Sequence, residues 1–274
     1  MEIGRCSFDN WYPIFRKDTV RGYFIPIPND FKEFLMKGEF IVDEQMFPDL
    51  CAKVKNAISD LNGTAFVKLN FTAPTDAQWI GPQRTMEVKT FEDVIYLLKA
   101  STRVLVDLTK PFGEEFTETL NPIIVLKKYF NYKRDREFRV FYKTPKEYWV
   151  SSRYGDVPCK IDEKDIQNCI QNFIDKYAET LGDSHLILDL YISPKMRTHL
   201  VDIAPWNDAT SSCLFDWDDI KNMSGIKVKV STDVFVYPKE DPAVPVELMG
   251  GASLEEIIEA MKKLEELDKQ NNKE

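Results

Sequence analysis

Leu186-Ile187-Leu188-Asp189-Leu190-Tyr191-Ile192, then the link Ser193-Pro194-Lys195-Met196-Arg197-Thr198, then His199-Leu200-Val201-Asp202-Ile203-Ala204-Pro205-Trp206-Asn207: this stretch decides how the chain is read. Each half is an apolar run of strand length with one carboxylate inside it. Burying a lone carboxylate is costly unless something pairs with it. The link is short and turn-like, so the two halves form a β-hairpin centred between Lys195 and Met196. That centre puts Asp189 opposite Asp202. Side chains so opposed lie roughly 5 Å apart, and like charges there repel, so the pair calls for a cation or a proton between its members. Two hard oxygen ligands with no His or Cys beside them suit Mg²⁺, which is usually held by one or two carboxylates together with substrate phosphates. The alternatives are two separately solvated carboxylates on a sheet rim, or a register slipped by one residue.

The bulk composition is consistent with that reading. At 274 residues with 43% hydrophobic side chains, the chain is long enough to bury a large core, in one domain or two lobes. Its net charge of -9 argues against binding along a nucleic-acid backbone, although a local basic cleft remains open. The five cysteines, at 6, 51, 159, 169 and 213, form no CxxC pair, and the histidines are His185 and His199. Zinc and a disulfide framework are therefore not expected, and scattered thiols suit a reducing compartment. No apolar stretch approaches eighteen residues and the N-terminus has no signal-like run, so a soluble cytoplasmic protein that binds no membrane is expected; a monomer is the expected state.

Outward from the hairpin, periodicity predicts helices over Phe31 to Lys37, stopped by Gly38, and over Pro48 to Asn62. Further helices are predicted over Thr90 to Ser101 with a capping box from Thr90 and Asp93, over Asp162 to Leu181, near Trp217 to Lys221, and from Ser253 onward. Strands are predicted at Thr64 to Asn70, Arg103 to Asp107, Ile123 to Phe130, Glu137 to Lys143, Glu147 to Arg153, Ile226 to Val230 and Val234 to Tyr237. Residues 5–30, rich in aromatics and prolines, read as an extended arm packed on the body. Helices and strands mix without strict βαβ alternation, which points to an α+β fold. A body over residues 1–237 that divides into two lobes near 120, followed by a linker and acidic helix over 238–274, is the expected organisation.

Several strands carry charges able to do chemistry. Lys68 shares a strand face with Phe66 and Asn70, while Ala65, Val67 and Leu69 face the core. There it can meet phosphates as a point charge, or it can be a solvated lysine. Lys127 and Lys128 are neighbours, so only one of them can face a given cleft. Glu137 and Arg139 share a face, either as an intrastrand ion pair or with the guanidinium aimed at phosphate oxygens, and Arg153 can be read the same way. Together with the two facing carboxylates, these residues make a site for a triphosphate with Mg²⁺. The chain has no GxxxxGK[ST] loop, no GxGxxG, no kinase HRD or DFG and no KxDG. No catalytic residue is assigned.

The pieces in order are Cys6-Ser7-Phe8 with Trp11-Tyr12-Pro13, Phe66-Val67-Lys68-Leu69-Asn70-Phe71-Thr72-Ala73-Pro74 with Asp76-Ala77-Gln78-Trp79-Ile80, Glu137-Phe138-Arg139-Val140-Phe141, Asp189-Leu190-Tyr191-Ile192, and Val201-Asp202-Ile203 with Pro205. In this order and spacing the chain resembles the cell division cycle protein 123 family over roughly residues 5–237. The resemblance implies an ATP-grasp-like α+β fold with the nucleotide between two lobes. It also implies an assembly chaperone that binds the γ subunit of eukaryotic translation initiation factor 2. By the same resemblance Lys68 contacts ATP phosphates, the strand at Leu126 to Lys128 lies along the adenine, Arg139 lines the cleft, and Asp189 and Asp202 bind Mg²⁺. Ala204 stands where the family usually has Asn, and Asn207 or Asp208 could replace that oxygen only if their loop bends back. The partner surface implied includes the aromatic N-terminal arm, unless the arm is core. The alternative function is a carboxylate-amine ligase or a related ATP-dependent enzyme, which the same charged set would serve.

Overall fold

The computed structural model describes residues 3–37, 44–81, 84–109 and 121–232. Gly38, the strand expected at Val234 to Tyr237 and the helix expected from Ser253 lie outside the described residues. Two antiparallel-based sheets organise the fold. The first is four-stranded, in the order β1-β4-β2-β3, from β1 (Gly22–Pro26), β2 (Ala65–Lys68), β3 (Glu87–Val88) and β4 (Ile123–Lys128). The second is five-stranded, in the order β8-β7-β5-β6-β9, from β5 (Glu137–Thr144), β6 (Glu147–Ser152), β7 (Leu186–Ile192), β8 (Thr198–Pro205) and β9 (Ile226–Lys229), with β9 parallel to β6.

On one face of the first sheet, Ala65, Val67, Leu69, Ile124 and Leu126 pack against helices α2 (Asn29–Met36), α3 (Pro48–Asp60), α4 (Phe91–Lys99) and α5 (Thr102–Thr109). Their apolar stripes recur at helical spacing, as in Leu50, Val54, Ala57 and Ile58 of α3. The capping box of α4 is present in full, Thr90 Oγ1 accepting from Asp93 N–H and Asp93 accepting from Thr90 N–H. The second sheet rests on α6 (Glu163–Lys176), whose Ile166, Ile170, Phe173 and Ile174 are buried. A separate short helix, α7 (Ala178–Leu181), follows it, so the single helix expected over Asp162 to Leu181 breaks at Tyr177. α8 (Trp217–Lys221) covers part of the opposite face with Phe215, Ile220 and Met223. Among the described residues no helix is long and apolar enough to cross a membrane.

Two expectations are overturned. The strand expected at Arg103 to Asp107 is helix α5. Its β-branched valines favour strand, but the helix start is secured by side chains: Ser101 Oγ accepts the Val104 N–H, and Asp76 accepts from Ser101, Thr102 and the Arg103 N–H. The N-terminal arm is extended only over β1. After a 3-10 turn at Ile3–Cys6 it forms helix α1 (Phe8–Phe15), with Phe8, Trp11, Tyr12 and Phe15 buried among Ile123, Val125 and the second sheet's core. The spacing 8, 11, 12, 15 is helical, and Pro13 is what obscures it. Burying a Phe contributes about 1.5–3 kcal/mol, so α1 is a helical wedge between the sheets rather than an extended stretch on the surface of the body. Gly22 of β1 allows the approach, since a Cβ there would stand 2.8 Å from the Phe8 ring, and its N–H donates to Tyr12 Oη at 2.9 Å.

Candidate functional site

The β7–β8 hairpin pairs Asp189 with Asp202, as the sequence reading required, by a route that reading did not foresee. Near the turn the register is Ile192 with Thr198, Tyr191 with His199 and Leu190 with Leu200, which centres the hairpin on Lys195. Met196 takes a positive φ of 56° to close the turn. Val201 is then an extra residue, a β-bulge, between Leu200 and Asp202. Two residues apart on a regular strand, Leu200 and Asp202 would share a face. The bulge leaves Leu200 in the core and turns Asp202 to the other side with Asp189.

Because β5 lies beside β7 and β6 beside β5, the pairing continues as one row: Ser151, Arg139, Asp189, Asp202. Within the row, Arg139 grips Asp189 as a fork, Nε to Oδ1 and Nη2 to Oδ2, each at 2.8 Å, and its Nη1 donates to the Ser211 carbonyl at 2.8 Å. Burial disfavours the guanidinium charge, yet Asp189 outweighs it and raises the Arg139 pKa. Burial likewise opposes ionisation of Asp189, but Arg139 and then Arg153 hold its pKa below the usual carboxylate value. Arg153 Nε stands 3.8 Å from Asp189 Oδ2, and the Arg153 side chain is half-buried. Glu137 is pushed up to about 7, by burial first and by Asp189 second. It is on the Arg139 face of β5 and forms no ion pair with Arg139, whose fork is engaged by Asp189.

The first sheet supplies the cations facing this row. Lys68 is 1% exposed, which rules out the solvated reading, and its Nζ donates to Asp202 Oδ2. Lys127 is buried on the same face. Its Nζ donates to the carbonyl of Val201, the bulge residue, and lies 5.7 Å from the Trp11 ring centroid. Burial pulls Lys127 down to about 8, with Lys68 reinforcing that shift and Asp202 and Asp189 opposing it. Lys128 is exposed on the opposite face of β4, so of the two neighbours Lys127 is the one brought to the site.

Asp189 and Asp202 each already have a cation beside them, Arg139 for the first and Lys68 for the second. Their oxygens still offer lone pairs. Each Asp189 oxygen accepts one N–H from Arg139, and Asp202 Oδ1 accepts the Ile203 N–H. That is a two-carboxylate, oxygen-only donor set, which fits Mg²⁺ when phosphate oxygens and water complete the shell. Among the described residues no group of three or more His, Cys, Asp and Glu side chains could hold a metal alone. Near Ala204, Asn207 Oδ1 accepts the Ala209 N–H and Asp208 pairs with Lys221. A cavity of about 340 Å³ beside Arg5, Cys6, His185, Leu186 and Pro205 lies toward the other end of the hairpin and is lined by none of the charged residues of the row. Sequence reasoning missed Ser151, the Ser211 carbonyl and the Val201 bulge. Only Ser151 had a local signal, its place on a strand paired with that of Arg139.

The chain is similar to several known proteins. A Xenopus tropicalis protein named "Translation initiation factor eIF2 assembly protein" is 28% identical over 272 residues, covering 82% of this chain and 81% of that one. A protein of the same name from Aspergillus oryzae is 30% identical over 260 residues, covering 81% of this chain and 63% of the other. Cdc123 from Schizosaccharomyces pombe has a solved structure that superposes with a TM-score of 0.76 at 27% identity, over 84% of this chain and 97% of that one. The α+β class expected from the sequence is therefore the class found, and the fold is shared with that Cdc123 structure. A model of the D123 family matches residues 42–244, and the chain belongs to that family.

Proposed function

We propose that this protein binds ATP with Mg²⁺ between its two sheets and promotes assembly of eukaryotic translation initiation factor 2 by binding the γ subunit. The observation that carries the nucleotide reading is the meeting of Lys68 and Lys127, from one sheet, with the Arg139–Asp189–Asp202 row of the other. Lys68 and Lys127 supply buried point charges for phosphate oxygens. Arg139, with both Asp189 oxygens in its fork, keeps that carboxylate ionised and oriented, and Arg153 stands ready at the rim. Bound Mg²⁺ would neutralise charge between Asp189, Asp202 and the phosphates. The assembly role is supported by the names carried by the Xenopus and Aspergillus relatives. Nucleotide held by both sheets would brace the fold that meets the partner, because ligand binding to the native state stabilises it by mass action.

Calorimetric titration with the γ subunit, with and without ATP-Mg²⁺, tests this reading. Saturable binding that ATP-Mg²⁺ tightens is the expected result, and absence of γ binding under both conditions overturns the assembly role. Turnover of ATP that depends on an added carboxylate and amine would instead make the protein a ligase.

A further inference from the structure

Asn70 occupies an unusual place two residues beyond Lys68. The last backbone pair of β2 with β4 joins Lys68 to Val125, so a regular ladder would next set Asn70 opposite Ile123. The backbone has already left the sheet there, since the Leu69 N–H donates to the Thr72 carbonyl at 2.8 Å in a tight turn. The Asn70 side chain takes over the ladder instead, its Oδ1 accepting the Ile123 N–H at 2.9 Å. Both of its amide protons are also used: Nδ2 donates to the Asn121 carbonyl at 3.1 Å and to Ser7 Oγ at 3.0 Å. Asp107 Oδ2 pins the far side of the turn by accepting the Phe71 and Thr72 N–H groups.

One buried amide therefore ties together three segments that carry the site. It fixes the end of β2, which bears Lys68. It fixes the start of β4, which bears Lys127 four residues further on. Through Ser7 it anchors α1, whose Phe8 and Trp11 rings lie beside Lys127 Nζ. We propose that Asn70 is a positioning residue of this site, setting where Lys68 presents its charge by closing the β2–β4 ladder with its side chain. The inference rests on the nucleotide reading above and names a residue that acts on phosphates only through Lys68.

A double-mutant cycle on ATP-Mg²⁺ affinity separates that role from a purely structural one. Titrations are run on the full chain and on Asn70→Ala, Lys68→Met and the double variant. If Asn70 acts through Lys68, Asn70→Ala weakens ATP about tenfold in the unaltered background and less than about twofold when Lys68 is already Met. Equal losses in the two backgrounds would overturn the inference while leaving the nucleotide reading in place. Failure of the unaltered protein to bind ATP would remove both. Should Asn70→Ala not fold, Asn70→Leu, which keeps the volume and removes the acceptor for Ile123, is read in the same cycle by the same criteria.

Discussion

The fork of Arg139 on Asp189 makes both residues expensive to change singly. Removing one member leaves the other charged, buried and unpaired, so Arg139→Ala should destabilise the protein by about 3–5 kcal/mol, read as a lower urea midpoint. The joint change Arg139→Met with Asp189→Leu should restore most of that loss, because well-packed apolar side chains often replace a buried pair at no cost. A double variant as unstable as Arg139→Ala alone would contradict this. At this scale the sequence was legible where residue type and alternation were enough. Asp189, Asp202, Lys68 and Arg139 all lie on the faces expected of them. It was not legible where a backbone group does the work. The Ser211 carbonyl that takes Arg139 Nη1 and the Val201 carbonyl that takes Lys127 carry no residue signature.

Among the elements, α5 and the turn after β2 are joined by Asp107, whose carboxyl burial raises from 3.8 to about 6 against the pull of its hydrogen bonds to Thr72. A carboxyl with a raised folded pKa contributes stability that is fully present below the unfolded value and lost as pH rises through the folded one. The Asp107 contribution should therefore fade between about pH 4 and pH 7, by up to about 3 kcal/mol. Asp107→Asn removes the titration, so the stability of the unaltered protein relative to the variant should fall across that window. Denaturation curves whose separation does not change with pH would contradict it. The same element shows why sequence reading went astray there. Val104 and Val106 favour strand by propensity, whereas the helix depends on Asp76, which comes from a distant turn. In α1 the helical spacing was present but Pro13 argued against it, and the packing of Phe8, Trp11 and Tyr12 between the sheets overrides that local cost. The hairpin succeeded for a mixed reason. Its assumed centre gives the right pairing beyond the bulge and the wrong one near the turn, because a bulge shifts the register without any change in hydrophobic pattern.

For the whole molecule, the buried contacts from Lys68 to Asp202 and from Lys127 to Val201 are the polar links that join the two sheets across the site. A ligand bridging the same side chains should stabilise the fold as a unit. With ATP-Mg²⁺ at about a hundred times its dissociation constant, the gain should be about 2.7 kcal/mol, seen as a higher Tm. Lys68→Met should lose most of that rise, and an equal rise in the variant would place the nucleotide elsewhere. The α+β class was legible from the mixture of helical and strand patterns and from the motif order that resembles a known family, since both are properties of long stretches, whereas the order of strands within the two sheets was not. The measurement that bears most directly on the central claim is calorimetric titration of the unaltered protein and Lys68→Met with ATP in the presence of Mg²⁺. One saturable site, weakened at least about tenfold (~1.4 kcal/mol) by loss of the lysine, is the predicted result. Absence of heat at millimolar ATP, or equal affinity in the two proteins, would contradict a nucleotide site built from Lys68, Lys127, Arg139, Asp189 and Asp202.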